Sequence, residues 1–410
     1  MPKLRDEFTK EKILSLALAS AETAEATKEA YDDGVDCIVV PSRGGCPVFR
    51  CVLKAIEEYA REEKEYKKLY NAIQLPYFMN DKNRNKENGN SRRISVILYP
   101  LTADVSLRER TKRRYGITED YVTDSIRNYG ADVITTFLQD PKERAKNEKF
   151  NFLTFLFEEI EGRQDEANFY RNIEPVHHLL LLDTVISGRS LSTIVKNLNK
   201  HEIKYGAIGI VDLNGAKLKQ EYLNILNSSS RGKMELVKVD RIISEDRGAA
   251  LLGVIACVYP NLALEAQETL DIRPCGAVTW HHLTYDNSKR KISQEMKERL
   301  DIHRNVFEQY IGALYDGIEL LVRKNPEKDT EKRMEEKIKR VVELIEKYDL
   351  LDHDEEVLDP YAFVRENIEV DEIYESSSHV VHILPSEEGV RGCLNKYRKK
   401  YGNNLRERRC

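Results

Sequence analysis

No run of about 18 apolar residues occurs anywhere in this chain, which excludes a membrane-spanning helix. The opening residues, Met1-Pro2-Lys3-Leu4-Arg5-Asp6-Glu7, lack the apolar centre of a signal peptide, so export is not expected. Cysteines number seven, an odd count, and no two stand as C-x-x-C, which argues against a disulfide framework and for a reducing, cytoplasmic setting. The single tryptophan, Trp280, is followed by His281 and His282. With Cys257 and Cys275 these histidines lack the paired spacing of zinc ligands, and Trp280 reads better as a packed aromatic than as a stacking platform. Walker A, G-x-G-x-x-G and H-E-x-x-H sequences are all missing, which disfavours P-loop NTPases, dinucleotide-binding enzymes and zincins. The chain also has no internal repeat.

What is present is a highly charged chain of 410 residues, 33% charged and 41% apolar, long enough for two or three soluble domains. Its net charge of −5 predicts no general attraction to nucleic acid or to membranes. The tail, residues 396–409, is rich in Lys and Arg, and a frayed, solvated terminus is the default reading of such an end.

Apolar spacing predicts a helix over 9–31, with Ile13, Leu16, Ala17, Ala24 and Ala30 inward and Gly34 as its stop. A strand over 35–40, a helix over 47–68, a polar loop over 80–93 and a strand over 94–98 follow. Residues 107–116 are strongly basic, and read as a solvated helix face or as cations for an anionic ligand. Residues 132–138 are expected as a strand, and 150–160 as an aromatic helix packed in the core. A helix over 190–200 and strands over 207–211, 235–243, 249–258 and 277–283 complete the alternating part. This strand–helix alternation predicts an α/β fold with a parallel sheet. From about residue 293 the pattern becomes long, charged and helical, over 295–322 and 329–348, with Met334, Ile338, Val341, Val342 and Ile345 on one stripe. The expected organisation is therefore an α/β domain over 1–290 and a helical C-terminal region over 291–410.

Two turns carry the chemistry. In the first, the strand Leu179-Leu180-Leu181-Leu182 runs into Asp183-Thr184-Val185-Ile186, then Ser187-Gly188-Arg189-Ser190 and a helix. Asp183 can accept hydrogen bonds from ribose hydroxyls. Backbone N–H groups at a helix start, with the Ser187 and Ser190 hydroxyls and the Arg189 charge, suit a phosphate. In the second, an apolar strand ending at Val40 leads through Pro41 into Ser42-Arg43-Gly44-Gly45-Cys46. Adjacent glycines let the backbone approach a ligand closely, and N–H groups there, helped by Arg43, suit pyrophosphate oxygens. Cys46, beside this turn, reads as a packed thiol rather than a nucleophile.

Together these turns resemble those of type I phosphoribosyltransferases. That family has an Arg/Lys-Gly-Gly pyrophosphate loop after one strand. Later in the chain it has a loop for phosphoribosyl pyrophosphate (PRPP): two acidic residues, two apolar residues and a Thr/Ser-Gly-x-Thr/Ser turn. The resemblance spans roughly residues 30–215. Aligned without a gap, Asp183 takes the second acidic position, Leu182 the first, and Ile186 the place where many members carry a catalytic Asp or a Thr. Aligned with Asp183 first, Thr184 replaces the second acid and the loop is one residue short. Either way one carboxylate is missing.

The resemblance implies a parallel-sheet phosphoribosyltransferase-like core. It also implies Mg²⁺ carried with PRPP and touched by Asp183, directly or through bound water. Thr184, Ser187, Gly188, Arg189 and Ser190 would lie around the 5′-phosphate, and Ser42, Arg43, Gly44 and Gly45 around pyrophosphate. The implied reaction is phosphoribosyl transfer to or from a nitrogenous base, with Asp183 as the catalytic-site carboxylate. The alternative is an inactive sensor or effector that binds PRPP or a nucleotide and signals to a partner, as in a defence module. A protein partner, or a second copy of the chain, would dock on the helical C-terminal region.

Overall fold

The computed structural model describes residues 8–41, 45–74, 92–98, 105–107, 128, 131–147, 150–151, 154, 164–185, 188–212, 219–227, 232–240, 272–274 and 294–348. Expectations for 80–91, 108–116, 249–258, 277–283 and 349–410 lie outside those residues.

The first helix, α1, is Lys10–Asp32. Thr9 caps it by accepting the Lys12 N–H at 3.3 Å, and Gly34, at φ +102°, turns the chain away after its end. The strand β1 (Cys37–Val40) follows, then α2 (Gly45–Glu62) and α3 (Lys64–Ala72). The single helix expected over 47–68 is thus two. Glu63 takes an extended conformation between them, and the change of direction lets Tyr66 stack on Tyr59 at 4.5 Å. The short β2 (Ile73–Gln74) and β3 (Ile94–Leu98) come next. Beyond them lie α4 (Pro141–Arg144), α5 (Gln164–Asn172), β5 (Leu179–Val185), α6 (Arg189–Lys200), β6 (Tyr205–Asp212), α7 (Gln220–Asn227) and β7 (Gly232–Val239). Two long helices, α8 (Gln294–Val322) and α9 (Thr330–Lys347), close the described chain. A separate antiparallel pair joins β4 (Val105–Leu107) to β8 (Ile272–Pro274).

The main sheet has six strands in the order β2-β3-β1-β5-β6-β7, every neighbouring pair parallel. The expected α/β fold with a parallel sheet is present. Alternation along the strands divides the core in two. Ile38, Val40, Leu180, Leu182, Ile208 and Ile210 share one cluster with α1, α2, α3, α8 and α9. Cys37, Val39, Leu179, Leu181, Val185 and Ala207 face the other, against α5, α6 and residues 131–137. Both faces of the sheet are covered, which explains why β5 is buried at all seven positions and opens on a run of four leucines.

The C-terminal helices bury their apolar stripe in the same cluster as α1 and the sheet. Tyr310, Leu314, Ile318, Met334, Val341 and Ile345 lie within it. The Gly317 backbone comes so near α1 that an added Cβ would lie 3.2 Å from Ala17 Cβ. Ion pairs reinforce the contact. The buried Glu58 of α2 meets Lys54 at 2.5 Å and Arg61 at 3.5 Å, and pairs with Arg323 just past α8; Lys337 of α9 reaches Asp316 of α8 at 2.6 Å.

Residues 131–136 are helical, not the strand expected over 132–138. Val133, Ile134 and Phe137 recur on one helical face and are fully buried there. The β-branched Thr135 and Thr136 that suggested a strand hydrogen-bond back to the carbonyls of Asp132 and Val133, each at 2.6 Å, a helical habit of threonine. Beneath this turn lies Arg144, fully buried. Its guanidinium donates to the carbonyls of Thr136, Phe137, Gln139, Tyr170 and Ile173 at 2.9–3.2 Å and sits 4.9 Å from the Phe137 ring centroid. Phe150, expected in the core, packs edge-on against Phe137 at 5.7 Å.

Candidate functional site

The register of β1 and β5 is pinned at their amino ends. Asp36, just before β1, accepts the backbone N–H of His177 at 3.0 Å and that of His178 at 3.1 Å, and its own N–H donates to His178 O. Cys37 then pairs with Leu179, Ile38 with Leu180 and Val39 with Leu181. With these ends aligned, β1 ends beside Leu182 and β5 runs on past it to Val185, so Asp183 stands just beyond the end of β1. The chain departs toward β3 on one side of this pair and toward β6 on the other. This is the switch point of a doubly wound sheet, where ligands of such folds bind.

Both candidate turns start there. After β1 the chain passes Pro41 and enters α2 at Gly45. After β5 it reaches Gly188 and enters α6 at Arg189. Gly188 occupies the N-cap of α6 with φ +82° and ψ 0°, a left-handed conformation that costs a side-chain-bearing residue about 1–2 kcal/mol. Its carbonyl accepts the Ser192 N–H at 3.0 Å, the first bond of the helix. Neither α2 nor α6 carries an acidic residue in its own first turn.

Asp183 lies within β5, two residues before its end, and is 2% exposed. Its Oδ1 accepts the Thr184 N–H at 2.8 Å. A Cβ placed on Gly45 would lie 3.2 Å from that same Oδ1, 3.4 Å from the Leu182 carbonyl oxygen and 2.8 Å from Val40 Cγ1. The start of α2 and the Asp183 carboxylate are therefore in direct contact, although far apart in sequence. Only glycine at 45 leaves room for that approach.

The sequence-derived residues are placed as follows. Gly45, Asp183, Thr184, Gly188, Arg189 and Ser190 gather at the carboxyl ends of β1 and β5; Thr184 and Gly188 are buried, Arg189 and Ser190 half-buried. Ser42, Arg43, Gly44 and Ser187 lie outside the described residues, as do Ile186 and the basic segment beyond Leu107. Leu182 is fully buried among the core residues. Asp36 and the Gly45–Asp183 contact were not anticipated. Asp36 carried a signal, a lone carboxylate immediately before an apolar run; the contact had none within either segment.

No protein-family model matches this chain, and no curated protein or solved structure does.

Among the described residues no group of three or more His, Cys, Asp or Glu side chains stands ready for a metal ion. Asp183 offers one carboxylate. A Mg²⁺ ion there would take most of its oxygens from a ligand's phosphates and from water, the usual way this ion is held beside phosphorylated substrates. Among the described residues, no helix is long and apolar enough to cross a membrane.

Proposed function

We propose that this chain is phosphoribosyltransferase-like and binds PRPP or a nucleotide in the crevice at the carboxyl ends of β1 and β5. The supporting observation is the contact of the α2 start with the buried Asp183 carboxylate across a parallel strand pair at the switch point, with the start of α6 following the same strand β5. In this reading the α6 end, from Gly188 to Ser190, takes the 5′-phosphate. The α2 end, with Ser42 to Gly45, takes the pyrophosphate, and Asp183 accepts hydrogen bonds from the ribose hydroxyls. The reaction class is phosphoribosyl transfer to or from a nitrogenous base. The protein's part is to orient the reactants and to stabilise charge building on the leaving pyrophosphate. Mg²⁺ would come with the diphosphate and neutralise it.

A second reading rests on Leu182. In the ungapped alignment it stands at the first acidic position, and it belongs to the core. A single carboxylate suits a protein that binds the ligand without turning it over and passes the signal to a partner through its C-terminal helices.

Calorimetric titration with PRPP and Mg²⁺ tests the binding that both readings share. Wild-type protein is expected to bind and Gly188→Val to lose binding, because valine cannot hold the left-handed cap and its side chain occupies the phosphate's place. Unchanged affinity in the folded variant overturns the placement of the phosphate. Pyrophosphate release across a panel of bases separates the enzyme from the sensor.

A further inference from the structure

We infer that α2 is a strut between the crevice and the α8–α9 hairpin, held at both ends, so that the buried Glu58–Arg323 pair sets where Gly45 stands. The effect on a ligand rests on the binding reading above; the coupling along α2 does not.

The crevice end has no slack. A Cβ on Gly45 would lie 2.8 Å from Val40 Cγ1 in β1 and 3.4 Å from the Leu182 carbonyl oxygen in β5. The far end is tied by charge. Glu58, fully buried, pairs with Arg323, and Glu62 Oε1 accepts the Lys324 N–H at 3.0 Å. Arg323 also donates to Glu319 at 3.1 Å. Glu319 in turn accepts the Glu327 N–H at 3.2 Å and the Thr330 hydroxyl at 3.1 Å, so the turn from α8 into α9 belongs to the same network.

Between these ends α2 has neither Gly nor Pro after Pro47, so nothing in its sequence kinks it. About 20 Å of helix separates Gly45 from Glu58. Val48, Val52, Ala55 and Ile56 hold the helix in the core. Apolar contact is non-directional, whereas charge-assisted hydrogen bonds fix a position. A buried ion pair adds little net stability over apolar packing, and its best-attested use is to set register. Here that register is the position of α2 along its own axis. A shift of the α8–α9 turn therefore moves Gly45 against Val40, and whatever binds in the crevice resists the same shift in return.

The test is a double-mutant cycle, read by chemical denaturation of the full chain: Gly45→Ala, Arg323→Met and the two together. Arg323→Met leaves Glu58 with Lys54 and Arg61. Sites so far apart otherwise add within roughly twofold in the folding equilibrium constant. The fold-loss caused by Gly45→Ala is expected to be smaller by at least about threefold in the Arg323→Met background, because the freed helix can slide away from Val40. A smaller difference overturns the inference, as does a Gly45→Ala variant as stable as wild type. Where Arg323→Met does not fold, the same cycle with Glu62→Ala, at an exposed position, decides by the same criterion. Where Gly45→Ala does not fold by itself, adding Arg323→Met must restore folding. Titration with PRPP and Mg²⁺ separates the two readings. Folded Arg323→Met is expected to bind PRPP at least about fivefold more weakly than wild type. A smaller loss overturns the inference while the binding reading stands. If wild type does not bind PRPP, the binding reading fails and the cycle alone decides the strut.

Discussion

At position 45 the space for a single methyl group is already taken. Gly45→Ala would set its Cβ 2.8 Å from Val40 Cγ1, inside van der Waals contact, so either Val40 or the first turn of α2 must move. Overpacking of this kind costs about 1–3 kcal/mol, and chemical denaturation should show a loss of that size. Arg144 makes the opposite case, a charge that fits because everything around it accepts. Burial lowers its pKa to about 10, so it remains protonated at neutral pH, and five carbonyls replace its water. Arg144→Met would leave those carbonyls without their donor, and an unsatisfied buried group costs about 1–3 kcal/mol. We expect a destabilisation of at least that size, measured by denaturant melting at pH 7, with Arg144→Lys intermediate.

At the scale of elements, the bond between α2 and the end of α8 is electrostatic and should show its charge. Burial alone would raise the Glu58 pKa, but hydrogen bonds from Lys54 and Arg323, with the charges of Lys54 and Arg61, hold it below its ordinary 4.5. A carboxyl whose folded pKa is depressed stabilises the fold above its unfolded pKa and loses that contribution as pH falls through the folded value. Glu58→Gln should therefore cost stability at pH 7 and progressively less as pH drops below about 4.5, as followed by denaturation across that range.

The elements also show what local pattern reveals. Residues 94–98 were legible as a strand, and the apolar stripes of α1, α8 and α9 as helices, because each has a clear period. The helical turn at 131–136 was obscured by β-branched residues whose hydroxyls are satisfied by their own carbonyls. The short helices α5 and α7 have too little apolar periodicity to register; α7 buries only Leu226. The two glycine turns of the crevice were visible as local strand–turn–helix joints. That Asp183 would press against Gly45 was not, because the contact arises from pairing β1 with β5, a relation between distant segments that no local window contains.

At the scale of the molecule, the last two helices are integral to one face of the core rather than an appendage. A chain truncated after residue 293 would expose the partners of Tyr310, Leu314, Ile318, Met334 and Ile345. It should be unfolded or aggregated, with loss of cooperative melting by circular dichroism. A well-folded 1–293 fragment would show that the sheet and its remaining helices suffice.

The pairing of Cys37 with Leu179 has a further consequence for how the protein is born. On the ribosome, α2 emerges long before β5, so its glycine start waits without the aspartate that will face it. Until residue 185 leaves the exit tunnel there is no crevice to occupy. Until α8 and α9 follow, the side of the sheet that α2 covers stays partly bare. The crevice at the carboxyl ends of β1 and β5 therefore takes shape only once β5 is made, and the sheet face beside it is covered only once α8 and α9 follow.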